Sequence, residues 1–140
     1  MFSETVRGEI QHLERYKQLI DYSGMQRHRR ITPTDIDGFI DYGGNAFIYM
    51  DAKLEGKPLS IGQKIAYENV VNSHEKAKNV ACAIIFRHDV PADEIIMAHE
   101  KYIDIYYTQG KWKSPDKENT TLLEGIEIFE KHWKSLGIKI

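Results

Sequence analysis

Asp37-Gly38-Phe39-Ile40-Asp41-Tyr42-Gly43-Gly44-Asn45-Ala46-Phe47-Ile48-Tyr49-Met50-Asp51-Ala52-Lys53 is the stretch on which the fold turns. Its two flanks, residues 37–42 and 46–53, are rich in aromatic and β-branched side chains, which predicts two strands. Between them Gly43-Gly44-Asn45 supplies the positive φ angles that a tight hairpin needs. The glycine pair is read as a turn, and no phosphate-binding loop signature is present.

Working outward, residues 3–21 read as an amphipathic helix in which Val6, Ile10, Leu13 and Ile20 recur at helical steps. A basic run, Arg27-His28-Arg29-Arg30, separates it from the hairpin. Downstream, residues 54–60 form a polar loop with Gly56 and Pro58. Residues 61–74 are predicted helical, with Ile61, Ile65, Val70 and Val71 as the apolar stripe. Residues 79–87 are nearly all apolar, as in a strand covered on both faces. Residues 102–108 are a further strand and 110–119 a loop. Residues 120–135 form a last amphipathic helix, with Leu122, Leu123, Ile126, Phe129 and Trp133 on one side and Asn119 or Thr120 as its cap. No internal repeat is present. This order implies a single α/β domain over residues 1–140, with a mixed β-sheet flanked by helices.

Composition supports that class. The chain has 140 residues, 41% hydrophobic and 29% charged, enough to bury a core without disulfides or a zinc staple. No apolar run is long enough to span a membrane, and Met1-Phe2-Ser3-Glu4 lacks a secretion pattern. The one cysteine, Cys82, lies in the apolar strand and is expected to be a buried thiol in a reducing, cytoplasmic setting. A net charge of −2 gives no global basic field for nucleic acid. The six histidines make no zinc signature.

Chemistry concentrates on the second hairpin strand. Side chains alternate faces along a strand, so Asp51 and Lys53 point the same way, while Met50 and Ala52 point the other. Asp35 and Asp37 share a face by the same rule, and the hairpin can set one of them beside Asp51. Two carboxylates suit Mg²⁺, a hard cation that takes oxygen ligands. Such an ion polarises a phosphate oxygen, and a nearby lysine can serve the attacking water and offset developing charge. These residues therefore point to hydrolysis of a phosphodiester.

The same residues resemble the PD-(D/E)xK nuclease superfamily. Asp35-Ile36-Asp37-Gly38-Phe39-Ile40 is followed, about fourteen residues on, by Asp51-Ala52-Lys53. In that superfamily one strand supplies an acid and its neighbour supplies Asp/Glu-x-Lys. Gln63-Lys64-Ile65-Ala66-Tyr67 matches the Gln-x-x-x-Tyr motif of its RecB-like branch, and i, i+4 spacing puts Gln63 and Tyr67 on one helical face. Gly56, Pro58, Leu59, Gly62 and Gln63 look like the corresponding loop in small phage-type and resolvase-like members. The resemblance covers residues 32–86. Pro33 is separated from Asp35 by Thr34, a departure from the contiguous Pro-Asp of the pattern.

The resemblance implies a restriction-endonuclease-like core and a Mg²⁺- or Mn²⁺-dependent nuclease acting on DNA rather than RNA. It assigns Asp37, Asp51, Lys53, Gln63 and Tyr67 to catalysis. Asp37 and Asp51 would hold the metal, with the Ala52 carbonyl, Asp35 and Glu9 as supplementary ligands; His12 lies near Glu9 on the predicted first helix. Arg27, Arg29, Arg30, Lys57 and Lys64 are candidates for phosphate contact. Lys111-Trp112-Lys113, after Tyr106 and Tyr107, is either a stacking platform or a cap on the core. The alternative function is a non-catalytic nuclease-fold protein that inhibits or modulates a nucleic-acid-processing partner, as a phage-encoded protein would. A homodimer or a larger protein partner is compatible with either.

Overall fold

Alternation of side chains along the hairpin strands decides which layer covers which face of the sheet. In the computed structural model, which describes residues 20–140, the chain divides into one unit ending at Pro33 and another over Thr34–Ile140. The first unit contributes two short 3-10 turns, Ser23–Met25 and His28–Arg30. The helix expected over residues 3–21, with Glu9 and His12, lies almost wholly outside the described residues.

The larger unit is α/β, with a five-stranded mixed sheet and two α-helices. Strands β1 (Gly38–Asp41), β2 (Ala46–Leu54), β3 (Val80–His88), β4 (Tyr102–Thr108) and β5 (Lys111–Lys113) lie in the order β1-β2-β3-β4-β5. Only β2 and β3 run parallel; the other neighbours are antiparallel. The parallel pair is joined by helix α1 (Ile61–Lys76), and helix α2 (Leu122–Ser135) follows β5.

The hairpin forms as its glycines predict. Gly43 and Gly44 take φ of 63° and 82°, and the Asp41 carboxylate accepts a 2.7 Å bond from the Gly44 N–H. A second tight turn, Gln109-Gly110 with φ of 50° and 79°, turns β4 into β5. The expected loop over residues 110–119 therefore begins with a three-residue edge strand.

Two apolar layers result. On one face Ala46, Ile48, Cys82, Ile84 and Phe86 pack with Leu122 and Trp133 of α2. On the other, Tyr49, Ala81, Ala83, Ile85 and Tyr107 pack with Tyr67 and Val71 of α1. Strand β3 is buried from Ala81 to Phe86, as its apolar run requires, and burial pushes the Cys82 thiol well up, leaving it protonated. Trp112 belongs to the α1-side layer: its indole N–H donates to Glu68 at 2.6 Å and its ring lies 5.3 Å from Tyr107. It caps the core.

Two local expectations are corrected. In α1 the stripe expected through Ile61 and Ile65 faces out, at 78% and 50% exposure, whereas Tyr67 and Val71 are buried. The helix is seated by its largest ring, and Val70 and Val71 alone of the expected stripe pack on the sheet side. Helix α2 is capped by Thr121, not Asn119 or Thr120. Thr121 accepts from the Glu124 N–H, and Glu124 reaches back to the Thr121 N–H, each at 3.1 Å. Thr120 is instead buried, donating to the Lys117 carbonyl.

No helix among the described residues is long and apolar enough to cross a membrane.

Candidate active site

The α1-covered face carries the charged end of β2. Register continues the hairpin ladder from Gly38 opposite Met50, so Asp37 arrives beside Asp51. A backbone bond holds it there: the Ala52 N–H donates to Asp37 Oδ2 at 2.8 Å. Asp51 itself is only 3% exposed. A buried carboxylate is costly unless paired, and Asp51 is met from two sides. Lys53 Nζ lies 3.3 Å from Asp51 Oδ2, and Gln63 Nε2 donates to the same oxygen at 3.3 Å.

Helix α1 brings Gln63 to this point. Ser60 caps the helix, its hydroxyl accepting from the Gln63 N–H at 3.1 Å, so the cap and the site share a residue. One turn on, Tyr67 is buried on the same helical face. Among the described residues nothing hydrogen-bonds its hydroxyl. Burial, and then the charges of Asp51, Asp37 and Asp35, push that hydroxyl far above its ordinary value, so it remains a neutral donor.

Electrostatics at the carboxylates are those of a crowded pair. Burial first, and then the adjoining Asp37 carboxylate, push the Asp51 carboxyl up to about 7, while Lys53 pulls the other way. A divalent cation relieves such a pair directly. No group of three His, Cys, Asp or Glu side chains capable of holding a metal occurs among the described residues. The donor set here is two carboxylates, which fits Mg²⁺ or Mn²⁺ that fill their remaining positions with backbone oxygen and water. The orphaned Tyr67 hydroxyl is a further polar atom seeking a partner at the same place.

The structure thus brings together Asp37, Asp51, Ala52, Lys53, Gln63 and Tyr67. Asp35 is exposed two residues upstream, within range of Tyr67 by charge alone. Glu9 lies outside the described residues. Lys57 is exposed in the β2–α1 loop. Lys64 lies on the first turn of α1 with its ammonium 5.9 Å from the Trp112 ring centre. Arg27, Arg29 and Arg30 belong to the unit ending at Pro33, where they are exposed and Arg29 and Arg30 take φ of 60° and 61°.

One participant escapes the sequence reading. Arg87 is the register partner of Lys53 on the parallel strand β3. Its guanidinium pairs with Asp104 at 2.7 Å and donates to the carbonyls of Leu54 and Lys57. It therefore pins the loop that leads from Lys53 to the Ser60 cap. The available signal was a lone arginine closing an apolar strand.

Two clefts of about 450 and about 610 Å³ lie elsewhere. The first runs between α2 and the β4–β5 region beside Phe129 and Trp133, the second beside Arg87 and Asp104. Neither is lined by Asp37, Asp51 or Tyr67.

Comparison with protein-family models, with curated proteins and with solved structures finds no match to this chain.

Proposed function

We propose that this protein is a metal-dependent phosphodiester hydrolase with a restriction-endonuclease-like core, acting on DNA. The observation that carries this reading is the convergence on Asp51: Asp37 beside it, Lys53 and Gln63 each 3.3 Å from its Oδ2, and the unpartnered Tyr67 hydroxyl nearby.

Asp37 and Asp51 would hold Mg²⁺ or Mn²⁺, with the Ala52 carbonyl as a backbone ligand. The bound ion supplies Lewis-acid polarisation of a phosphate oxygen and neutralises the carboxylate pair. Lys53 is placed to orient the attacking water and to offset negative charge as the phosphorus becomes five-coordinate. Its Nζ, 3.3 Å from Asp51 Oδ2, makes it an electrostatic and positioning group at the carboxylate pair. Gln63 orients Asp51 through its amide N–H, and Tyr67 offers a neutral hydroxyl that can donate to a phosphate oxygen. Lys57 and Lys64 add positive charge locally to a chain whose net charge is −2.

The test is cleavage of single-stranded, duplex and RNA substrates with Mg²⁺, Mn²⁺ or EDTA, comparing wild type with Asp51→Asn and Lys53→Ala. Metal-dependent cleavage of DNA that both variants lose is the expected result. Binding without cleavage of any substrate would replace this reading with the non-catalytic nuclease-fold protein.

A further inference from the structure

Beside the carboxylates, on the same face of the sheet, Phe39 extends the aromatic edge of the α1-side core, formed by Tyr49 and Phe47, into solvent. Phe39 of edge strand β1 is 51% exposed. Its ring stacks on Tyr49 at 4.8 Å between centroids and lies parallel, within 7°, to Phe47 at 6.1 Å. Phe47 is in turn stacked on His74 of α1 at 3.9 Å and 13°. His74 is held by a 2.8 Å hydrogen bond to the Tyr49 hydroxyl. Phe39 is thus a rigid, braced ring with apolar surface left in water.

Its position relative to the carboxylates is set by strand geometry. Asp37 immediately precedes β1 and lies two residues from Phe39, a separation of about 6.6 Å in extended backbone. One nucleotide spans that distance. Two residues further, Asp41 is exposed, with its carboxylate tied to the Gly44 N–H. Its negative charge disfavours a second phosphate there, so the platform has room for one base.

We infer that Phe39 is a base-stacking platform that selects an unpaired nucleotide next to the scissile phosphate, making single-stranded or locally opened nucleic acid the substrate class. This rests on the phosphodiesterase reading above for the position of the phosphate. A duplexed base has both faces occupied by its neighbours and cannot lie on the ring, whereas every unpaired base has a face to offer. A ring fixed by Phe47, Tyr49 and His74 loses little freedom when a base lands on it, so the contact is available without reordering.

The experiment uses the full chain and short oligonucleotides of one sequence, single-stranded or fully duplexed, with 2-aminopurine at successive positions. Binding is read in Ca²⁺ by fluorescence quenching, and cleavage in Mg²⁺. Phe39→Leu keeps the apolar volume but removes the ring; Phe39→Trp restores one. Wild type is expected to quench one position of the single strand and to favour it over duplex by roughly tenfold. Phe39→Leu should lose the quenching and that preference, with the loss in KM rather than kcat, and Phe39→Trp should regain both. Cleavage and preference unchanged in Phe39→Leu would overturn the inference while leaving the nuclease reading intact. A wild-type dimer that Phe39→Leu dissolves, with no effect on quenching, would also overturn it, since the ring would then serve contact between copies. Absence of cleavage with Phe39-dependent quenching retained would uphold the stacking platform and reject the nuclease.

Discussion

Asp37 accepts a 2.8 Å hydrogen bond from the backbone N–H of Ala52, and this one bond presses its carboxylate against that of Asp51. It prolongs the β1–β2 ladder by a side chain where backbone pairing stops. The result is two acids crowded at the end of a sheet, one of them nearly fully buried. Most of the expected behaviour of the protein follows from that crowding.

Stability should fall as pH rises through the acidic range. The Asp51 carboxyl goes from an ordinary 3.8 to about 7 on folding, so between these values the folded state keeps a proton that the unfolded chain has released. Its contribution is therefore fully present below about pH 4 and lost by about pH 7. Asp51→Asn removes the titration and should stabilise the cation-free protein near pH 8 by about 2 kcal/mol. Urea unfolding across pH, for both proteins in EDTA, measures it.

Divalent cations should reverse the penalty. At a hundredfold excess over Kd, Mg²⁺ or Mn²⁺ should stabilise wild type by about 2.7 kcal/mol, with proton release near neutral pH. Asp37→Ala and Asp51→Asn should lose this response. Thermal unfolding with and without each ion is the measurement, and calorimetry in two buffers gives the proton count.

Tyr67 should separate stability from activity. Its hydroxyl is buried without a partner among the described residues, so Tyr67→Phe removes a desolvated group and should leave stability unchanged or raise it by up to about 1 kcal/mol. Cleavage should nonetheless drop roughly tenfold to a hundredfold if the hydroxyl donates to phosphate. Equal kcat in the two proteins would make Tyr67 a core residue alone.

Ser60 couples helix and site. Ser60→Ala removes the cap of α1, with an expected cost of about 1 kcal/mol, and frees Gln63 from the residue that anchors its backbone. Thr121→Ala removes the corresponding cap of α2 on the opposite side of the sheet at similar cost. Activity should fall in the first variant and not in the second, which distinguishes positioning of Gln63 from general destabilisation.

The local elements were legible because each is written in a short stretch. Gly43-Gly44 demands a turn, residues 79–87 can only be a strand covered on both sides, and residues 102–108 read as a strand, although the bulge that sends Ile103 and Ile105 to opposite faces was not legible. The alternation rule also placed Asp51 with Lys53, and i, i+4 spacing placed Gln63 with Tyr67, without any tertiary information. What spacing could not settle was which face of α1 meets the sheet. Ile61 and Ile65 satisfy a helical stripe as well as Tyr67 and Val71 do, and the helix is too weakly amphipathic to choose. Packing chose, because seating Tyr67 buries more surface and lets Gln63 reach Asp51. The partners that come from distant strands were equally out of reach: Arg87 beside Lys53 exists only through the parallel β2–β3 register, and the Phe39 ladder only through the pairing of Phe39 with Tyr49 and the docking of His74. Sequence by itself determined four of the five strands, the Gly43-Gly44 turn and the shared face of Asp51 and Lys53, since these depend on neighbours a few residues away. Tertiary structure alone decided which charges share a buried site, because that depends on register between strands far apart in the chain.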